Sequence, residues 1–461
     1  MQDQGLIEFK SYAGNLKAGS DSAPITFQAC IDKTGEVKFK FDAVTLTKET
    51  SFIINWWDGK GSNINYFSLS GKAEDGTEFK TEDLQFNSLS TEYNNETSSR
   101  MSPVGGCLQA EFRCKLAVPA PKPTLRMLLK GFQNFHQLSS ECRLGKVVMD
   151  GEISINDPNA ITGYIAVQSD NEPADLTAWH AEADKLLEHV RRVMSFASAT
   201  MLHGPIIQFY AGDDLEMIAL SQSRQASAPF RTFHYLNQQP IFDAAVKSFF
   251  SPPFKVKNLF FAIEWFAMES THNEIRLVNA MTALENLVSS NLGGDDILII
   301  PNKKFKETKR ALREVLEQFI EEMEATTDDA KNAKAMLLGE LKDSLLCCNR
   351  RSILKKLRIL AEKEPWSVPL ADIGDDKIQA AISARNRVVH RGHYYDDGKE
   401  ESSDALWEHT LVVREIVVRF LLAAIGYRGK YISYVGGCHE TQFPPPANIC
   451  TGSQAPAWEP R

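Results

Sequence analysis

Leu108-Gln109-Ala110-Glu111-Phe112-Arg113-Cys114-Lys115-Leu116 alternates apolar and polar side chains with a period of two. Successive side chains of a strand point to opposite faces of its sheet, so this pattern buries one face only as a half-exposed β-strand. Val37, Phe39 and Phe41 repeat it, with Lys38 and Lys40 between them. Lys33-Thr34-Gly35 and Asp75-Gly76 sit between strand-like runs, where a turn needs a residue tolerant of positive φ. The polar run from Ser88 to Arg100 reads as a loop. From about Gly5 to Val167 the expected architecture is therefore antiparallel β, a sandwich or barrel.

Past Leu176 the period becomes 3.6. Trp179, Ala183, Leu186, Val190, Val193 and Ala197 fall on one stripe, predicting a helix near 177–202. Pro205 to Leu220 reads as extended again, and Pro252-Pro253 marks a boundary because proline lacks the donor a continuing helix needs. Beyond it, helices are expected at about 257–291, 303–325, 329–346, 349–363, 373–391 and 403–426, with almost no strand pattern. The predicted fold class is α+β: a β-rich region over 1–250, an all-α bundle over 254–430, and an extended or poorly ordered tail over 431–461 containing Pro444-Pro445-Pro446.

Length agrees with that division, since 461 residues exceed what one hydrophobic core organises. The chain is 43% hydrophobic and 24% charged, which excludes disordered and fibrous classes. Its formal net charge of -9 argues against broad coating of nucleic acid, although Arg385, Arg387 and Arg391 concentrate positive charge within seven residues. The first ten residues lack the basic and apolar regions of a secretory signal, and Arg419 interrupts the most apolar stretch, 416–427. A cytoplasmic protein with no membrane partner is expected, its 8 cysteines reduced.

The chemistry concentrates in Ala384-Arg385-Asn386-Arg387-Val388-Val389-His390-Arg391-Gly392, at the end of a predicted helix whose core stripe is Ile378, Ile382 and Val389. Asn386 and His390 form an i,i+4 pair beside Arg385, and Gly392 fits a helix C-cap that leaves His390 and Arg391 at the negative end of the helix dipole. His390 can exchange a proton near neutral pH. Arg385 can hold phosphate oxygens and offset transition-state charge, and Asn386 can orient phosphate or imidazole. This trio suits RNA cleavage by the 2′-hydroxyl without a metal. An Arg and a His four to six residues apart arise by chance more than once in such a chain, but requiring Asn after the Arg lowers the expectation to about 0.07. A solvated basic helix end with a capping histidine remains the plainer reading of these residues.

Arg385-Asn386-Arg387-Val388-Val389-His390 resembles the RNxxxH form of the Rx4-6H motif of the HEPN superfamily (higher eukaryotes and prokaryotes nucleotide-binding). An upstream stretch with Arg276 and Ala283-Leu284-Glu285-Asn286-Leu287 is similar to its Apea-like branch. The resemblance covers roughly 254–427, and a β-rich region ahead of such a domain is similar to the architecture of Apea-type abortive-infection proteins. It implies a helical bundle, a homodimer whose two motifs line one cleft, and a metal-independent endoribonuclease in antiphage defence, leaving 2′,3′-cyclic phosphate ends. Arg385 and His390 would be catalytic with Asn386 beside them, supported by Glu285, Arg387 and Arg391. RNA, with tRNA among the candidates, would be the substrate, and a phage-derived trigger would act on the N-terminal region. Some HEPN domains are not catalytic, so a dimerisation or nucleotide-binding scaffold is the alternative.

Other signals are weaker. Two basic runs, Lys303-Lys304-Lys306-Lys309-Arg310-Arg313 and Arg350-Arg351-Lys355-Lys356-Arg358, read either as guides for an RNA backbone or as solvated helix faces paired with Glu307, Glu314 and Glu317. His393, Tyr394 and Tyr395 read either as a base-stacking platform or as a turn packed on the bundle. No cofactor is expected and no convincing metal set is present, Cys438-His439 with Cys450 being the nearest approach.

Overall fold

The computed structural model describes residues 7–57, 66–94, 98–152, 157, 159–222, 230–268, 270–324, 327–395 and 403–445. The chain divides into two compact units, Met1–Ser251 and Pro252–Arg461. An antiparallel sheet dominates the first and helices dominate the second, so the fold is α+β.

The strands of the first unit are β1 (Lys10–Ala18), β2 (Asp21–Ile31), β3 (Val37–Phe41), β4 (Val44–Thr45), β5 (Phe67–Ala73), β6 (Glu78–Asn94), β7 (Ser98–Gly106), β8 (Gln109–Lys130), β9 (Leu138–Cys142), β10 (Gly145–Gly151), β11 (Ile161–Gln168) and β12 (His203–Leu220). Every pairing among them is antiparallel. The order β3-β2-β1-β5-β6-β8-β11-β10-β9 branches where β12 joins β8 and where β7 joins β4 and β6. The path of described strands ends at β3 and β9, an open branched sheet in place of a closed barrel.

β8 carries the alternating stretch 108–116. Ala110 and Phe112 are buried, while Arg113 and Lys115 face solvent and pair with Glu216 (3.1 Å) and Asp214 (2.6 Å) on β12. The core is an aromatic chain crossing five strands. Tyr12 stacks on Phe27 at 5.2 Å, Phe27 and Phe39 meet Phe79 edge-on, and Phe79 meets Phe112 at 5.0 Å. Gly14 and Gly71 face each other across β1 and β5, and the Phe27 ring lies over them. A Cβ on Gly71 would stand 2.9 Å from that ring.

The run 88–100, expected as a loop, is a hairpin. β6 and β7 pair from Gln85↔Gly106 to Asn94↔Ser98, and residues 95–97 lie outside the described set. Backbone pairing needs no apolar alternation, and Ser and Thr are compatible with a strand. Three helices complete the unit: α1 (Phe52–Trp57), α2 (Leu176–Ser198) and α3 (Gln239–Phe250). Trp56 and Trp57 thus stand on a short helix, their indole N–H groups donating to the carbonyls of Tyr66 and Phe86. On α2 the Asp175 carboxylate caps the first turn by accepting from the Ala178 N–H at 2.9 Å. The six stripe residues from Trp179 to Ala197 are buried.

The second unit contains α4 (Leu259–Ala267), α5 (Asn273–Asn291), α6 (Gly294–Ile297), α7 (Asn302–Glu321), α8 (Asp328–Cys347), α9 (Ile353–Glu362), α10 (Asp375–Arg391) and α11 (Ser403–Ala424), then β13 (Gly429–Ser433) and β14 (His439–Phe443). The single helix expected at 257–291 is broken into α4 and α5, the backbone being extended at Met268 and again at His272, and the Arg276 guanidinium donates to the Ser270 carbonyl at 2.7 Å between them. The expectation of an all-α unit is corrected by β13 and β14, which form an antiparallel hairpin within the segment expected to be extended or poorly ordered. Gly436 and Gly437, with φ of 76° and 111°, turn it where other residues are strained. Residues 446–461 of the expected tail lie outside the described set.

An ionic cluster fixes that hairpin, with Arg419 and Glu415 buried and Asp372 at its solvent edge. Arg419 on α11 donates bidentately to Asp372 (2.6 and 2.7 Å) and to Glu415 at 2.9 Å, while the Tyr431 hydroxyl on β13 donates to the same Glu415 carboxylate. Burial opposes the charged Arg419, but Asp372 and the neighbouring Tyr431 and Glu415 outweigh it and raise its affinity for the proton. Burial likewise raises the Asp372 carboxyl, and the Arg419 contacts overcome it and hold it below its ordinary value.

Candidate functional site

α10 carries the Arg-Asn-His constellation. Arg358 from α9 grips Asp375 at its start. Gly392, at φ 80°, ends it in the left-handed conformation with its N–H donating to the Val388 carbonyl at 2.8 Å. The helix packs on α5, α9 and α11 through Ile378, Ala381, Ile382, Ala384 and Val388. The predicted stripe ended on Val389, which is 49% exposed. The Ala381-Ala384-Val388 row keeps contact to the helix end, whereas the Ile378-Ile382 row reaches Val389 only beyond the packed region.

That rotation decides what each polar residue does. Arg385 lies within the buried face, between Ile378 and Ala381 around the helix, is only 24% exposed, and reaches across to α5, where it donates to Glu285 at 3.2 Å. Its other terminal nitrogen donates to the Asn386 side-chain oxygen at 3.1 Å. Asn386 and His390, about 40° apart around the helix, both face solvent. Arg385, Asn386 and Glu285 are therefore one hydrogen-bonded group. His390 lies about 140° from Arg385 around the helix and hydrogen-bonds to none of the three.

The supporting arginines diverge. Arg387 turns back under the following turn, donating to the Tyr394 carbonyl at 3.4 Å with its guanidinium 5.3 Å from the Tyr394 ring. Arg391 is exposed at the helix end. Tyr394 is buried and its hydroxyl meets His409 of α11 at 3.4 Å, which makes this turn a packed element of the bundle. Tyr395 is half-buried, and burial together with Glu274 and Asp404 raises its hydroxyl pKa. His409, fifteen positions beyond Tyr394, gave no signal in motif spacing. Arg276 is absorbed at the start of α5, bound to Ser270 and Asn273 and lying 5.9 Å from the Trp407 ring.

Hydrogen-bonding capacity is unspent at the α5–α10 contact. The Arg385 Nε and the Asn286 Oδ1 are both buried, and neither has a partner among the described residues. Unmatched buried polar atoms are uncommon in folded proteins, and among the described residues four others lie away from this contact, on Tyr12, Gln222, Gln238 and Arg351. Chemically, the group offers a guanidinium braced by a carboxylate, an amide beside it, and an exposed imidazole one turn further on. No group of three or more potential metal-binding side chains occurs among the described residues. Cys438 and His439 are both exposed, with Nδ1 of His439 directed at the Gly437 carbonyl, and Cys450 lies outside the described set. Nor is any described helix long and apolar enough to cross a membrane. No family model, curated protein or solved structure matches this chain.

Proposed function

We propose that the second unit is a HEPN-like, metal-independent endoribonuclease of an antiphage, abortive-infection protein, acting as a homodimer through the helical unit and controlled by the β-rich region. The observation that carries this reading is the placement of α10's polar residues. Arg385 is held by Glu285 and Asn386, while Asn386 and His390 are presented together to solvent. An RNA phosphate resting over Asn386 would have a guanidinium on one side and an imidazole on the other. The 2′-oxygen attacks phosphorus as His390 removes its proton, Arg385 offsets the charge of the five-coordinate transition state, and the bond to the 5′-oxygen breaks as that oxygen takes a proton from water, the imidazolium later returning its own to solvent. The products are a 2′,3′-cyclic phosphate and a 5′-hydroxyl.

Incubating the purified chain with total RNA in EDTA should produce those ends, and His390→Ala should slow cleavage by about 10² to 10⁴. A folded His390→Ala protein cutting at the parental rate would overturn the assignment, as would loss of all parental activity in EDTA. One observation favours a scaffold instead, namely that Arg385 and Arg387 already hold partners within the fold. A scaffold predicts no toxicity on overexpression and no growth difference between the parent and an Arg385→Ala, His390→Ala double variant.

A further inference from the structure

α7 hides almost nothing, and α8, the helix it packs against, buries only Leu345 among its described side chains. Of the 20 residues of α7 only Ile320 is buried, and its packing is chiefly against α8. Yet its sequence is strongly amphipathic. Leu312, Val315, Phe319 and, just past its end, Met323 form a continuous apolar stripe, with Val315 and Phe319 more than half exposed at 62% and 60%. An apolar helix face left in water beside a packed bundle marks a contact surface.

Charge indicates the occupant. The basic run at 303–313 fills the first part of α7, and Glu314, Glu317, Glu321, Glu322 and Glu324 follow it. A helix with a basic first half and an acidic second half is complementary to itself when reversed, and unfavourable to itself when parallel. The flanks agree with this division. Lys304 and Glu322 are about five turns apart on the same edge of the apolar stripe, both exposed. Residues of one flank face the same flank of the partner in an antiparallel pair, so each Lys304 meets a Glu322 twice across a two-fold axis. That axis, near Arg313, also sets Leu312 opposite Val315 and Thr308 opposite Phe319. The acidic charge elsewhere on α7 is partly spent in the chain itself, Glu317 binding Arg313 at 3.0 Å and Lys342 at 2.6 Å.

We propose that α7 is a docking surface for a second copy of this chain, paired antiparallel through the stripe Leu312-Val315-Phe319 and locked in direction by Lys304 against Glu322. The surface lies on a different helix from Arg385 and His390; it rests on the homodimer proposed above, for which it supplies the contact, and not on the nuclease chemistry.

The test uses the full chain and light scattering over a dilution series. The parent should run at twice 51.6 kDa. Phe319→Asp, at an exposed position that does not load the fold, should raise the dimer dissociation constant at least about 100-fold with an unchanged thermal transition. Lys304→Glu or Glu322→Lys alone places like charges opposite each other twice and should weaken the dimer about 10-fold. The two changes in one chain should restore it, and mixing the two single variants should yield a heterodimer. A monomeric parent would overturn the proposal, as would a dimer indifferent to Phe319→Asp or a charge swap that fails to restore pairing. If Lys304→Glu instead lowers RNA retention without changing mass, the basic run is an RNA contact and the proposed pairing is wrong. Cleavage assays on the same samples read the nuclease question separately.

Discussion

Arg419→Met probes what holds the helical unit around its site. Methionine replaces the aliphatic stem of Arg419 but removes the donors that reach Glu415, Asp372 and the Pro369 carbonyl. Glu415 is 4% exposed and would keep the Tyr431 hydroxyl as its remaining side-chain donor. Breaking a buried ion pair by deleting one partner costs about 3–5 kcal/mol, because an uncompensated charge stays buried. Asp372 is 39% exposed, so its share is that of a screened surface pair, under about 1 kcal/mol. The expected loss is therefore about 4 kcal/mol, set mainly by Glu415. Urea unfolding followed by far-UV circular dichroism, to which the helices of the second unit contribute most, measures it. The double variant Glu415→Leu, Arg419→Met should recover more than half of the loss, since an apolar pair of similar volume carries no stranded charge. A single-variant loss below about 1 kcal/mol, or a double variant no better than the single, would refute the reasoning. The pH dependence has a definite sign. The Asp372 carboxyl is held below its ordinary value, so its pair with Arg419 stabilises the fold above about pH 4, and that contribution disappears as pH falls further. Arg419→Met should flatten this acid limb.

Three further outcomes follow from specific contacts. Glu285→Gln should change stability by less than about 1 kcal/mol, because the Arg385 pair is partly solvated, yet lower RNA cleavage about 10-fold by freeing the guanidinium; equal rates would remove Glu285 from the site. Gly71→Ala should cost about 1–3 kcal/mol in urea unfolding, since its Cβ would press on the Phe27 ring, and Phe27→Leu in the same chain should relieve part of it. Asp175→Ala should cost about 1 kcal/mol through the lost cap of α2, while Asp175→Asn should stay within a few tenths, both read by thermal unfolding.

Legibility of the chain tracks the range of the physics involved. The alternation at 108–116, the α2 stripe and the stop of α10 at Gly392 are local, each set by side-chain period or by the conformational freedom of one glycine. Hairpin β6–β7 escaped because its polar residues satisfy a strand through backbone pairing, and hairpin β13–β14 because two five-residue strands are too short for a period to appear. At the candidate site, Arg385, Asn386 and His390 were legible as residue types at a spacing, but which of them turn inward was not.

Sequence alone therefore determined the α+β class, the helix bearing the Arg-Asn-His constellation, and its cap, because those depend on neighbours within a few positions along the chain. Tertiary structure decided the rest. It joined Arg385 to Glu285 from a helix one hundred positions upstream, drew Arg387 away to Tyr394, left His390 in solvent, and tied a C-terminal hairpin to α11 through Glu415 and Arg419. Each of these depends on a helix rotation of a few tens of degrees, which no local pattern fixes and which the packing of Ala384 and Val388 against neighbouring helices does.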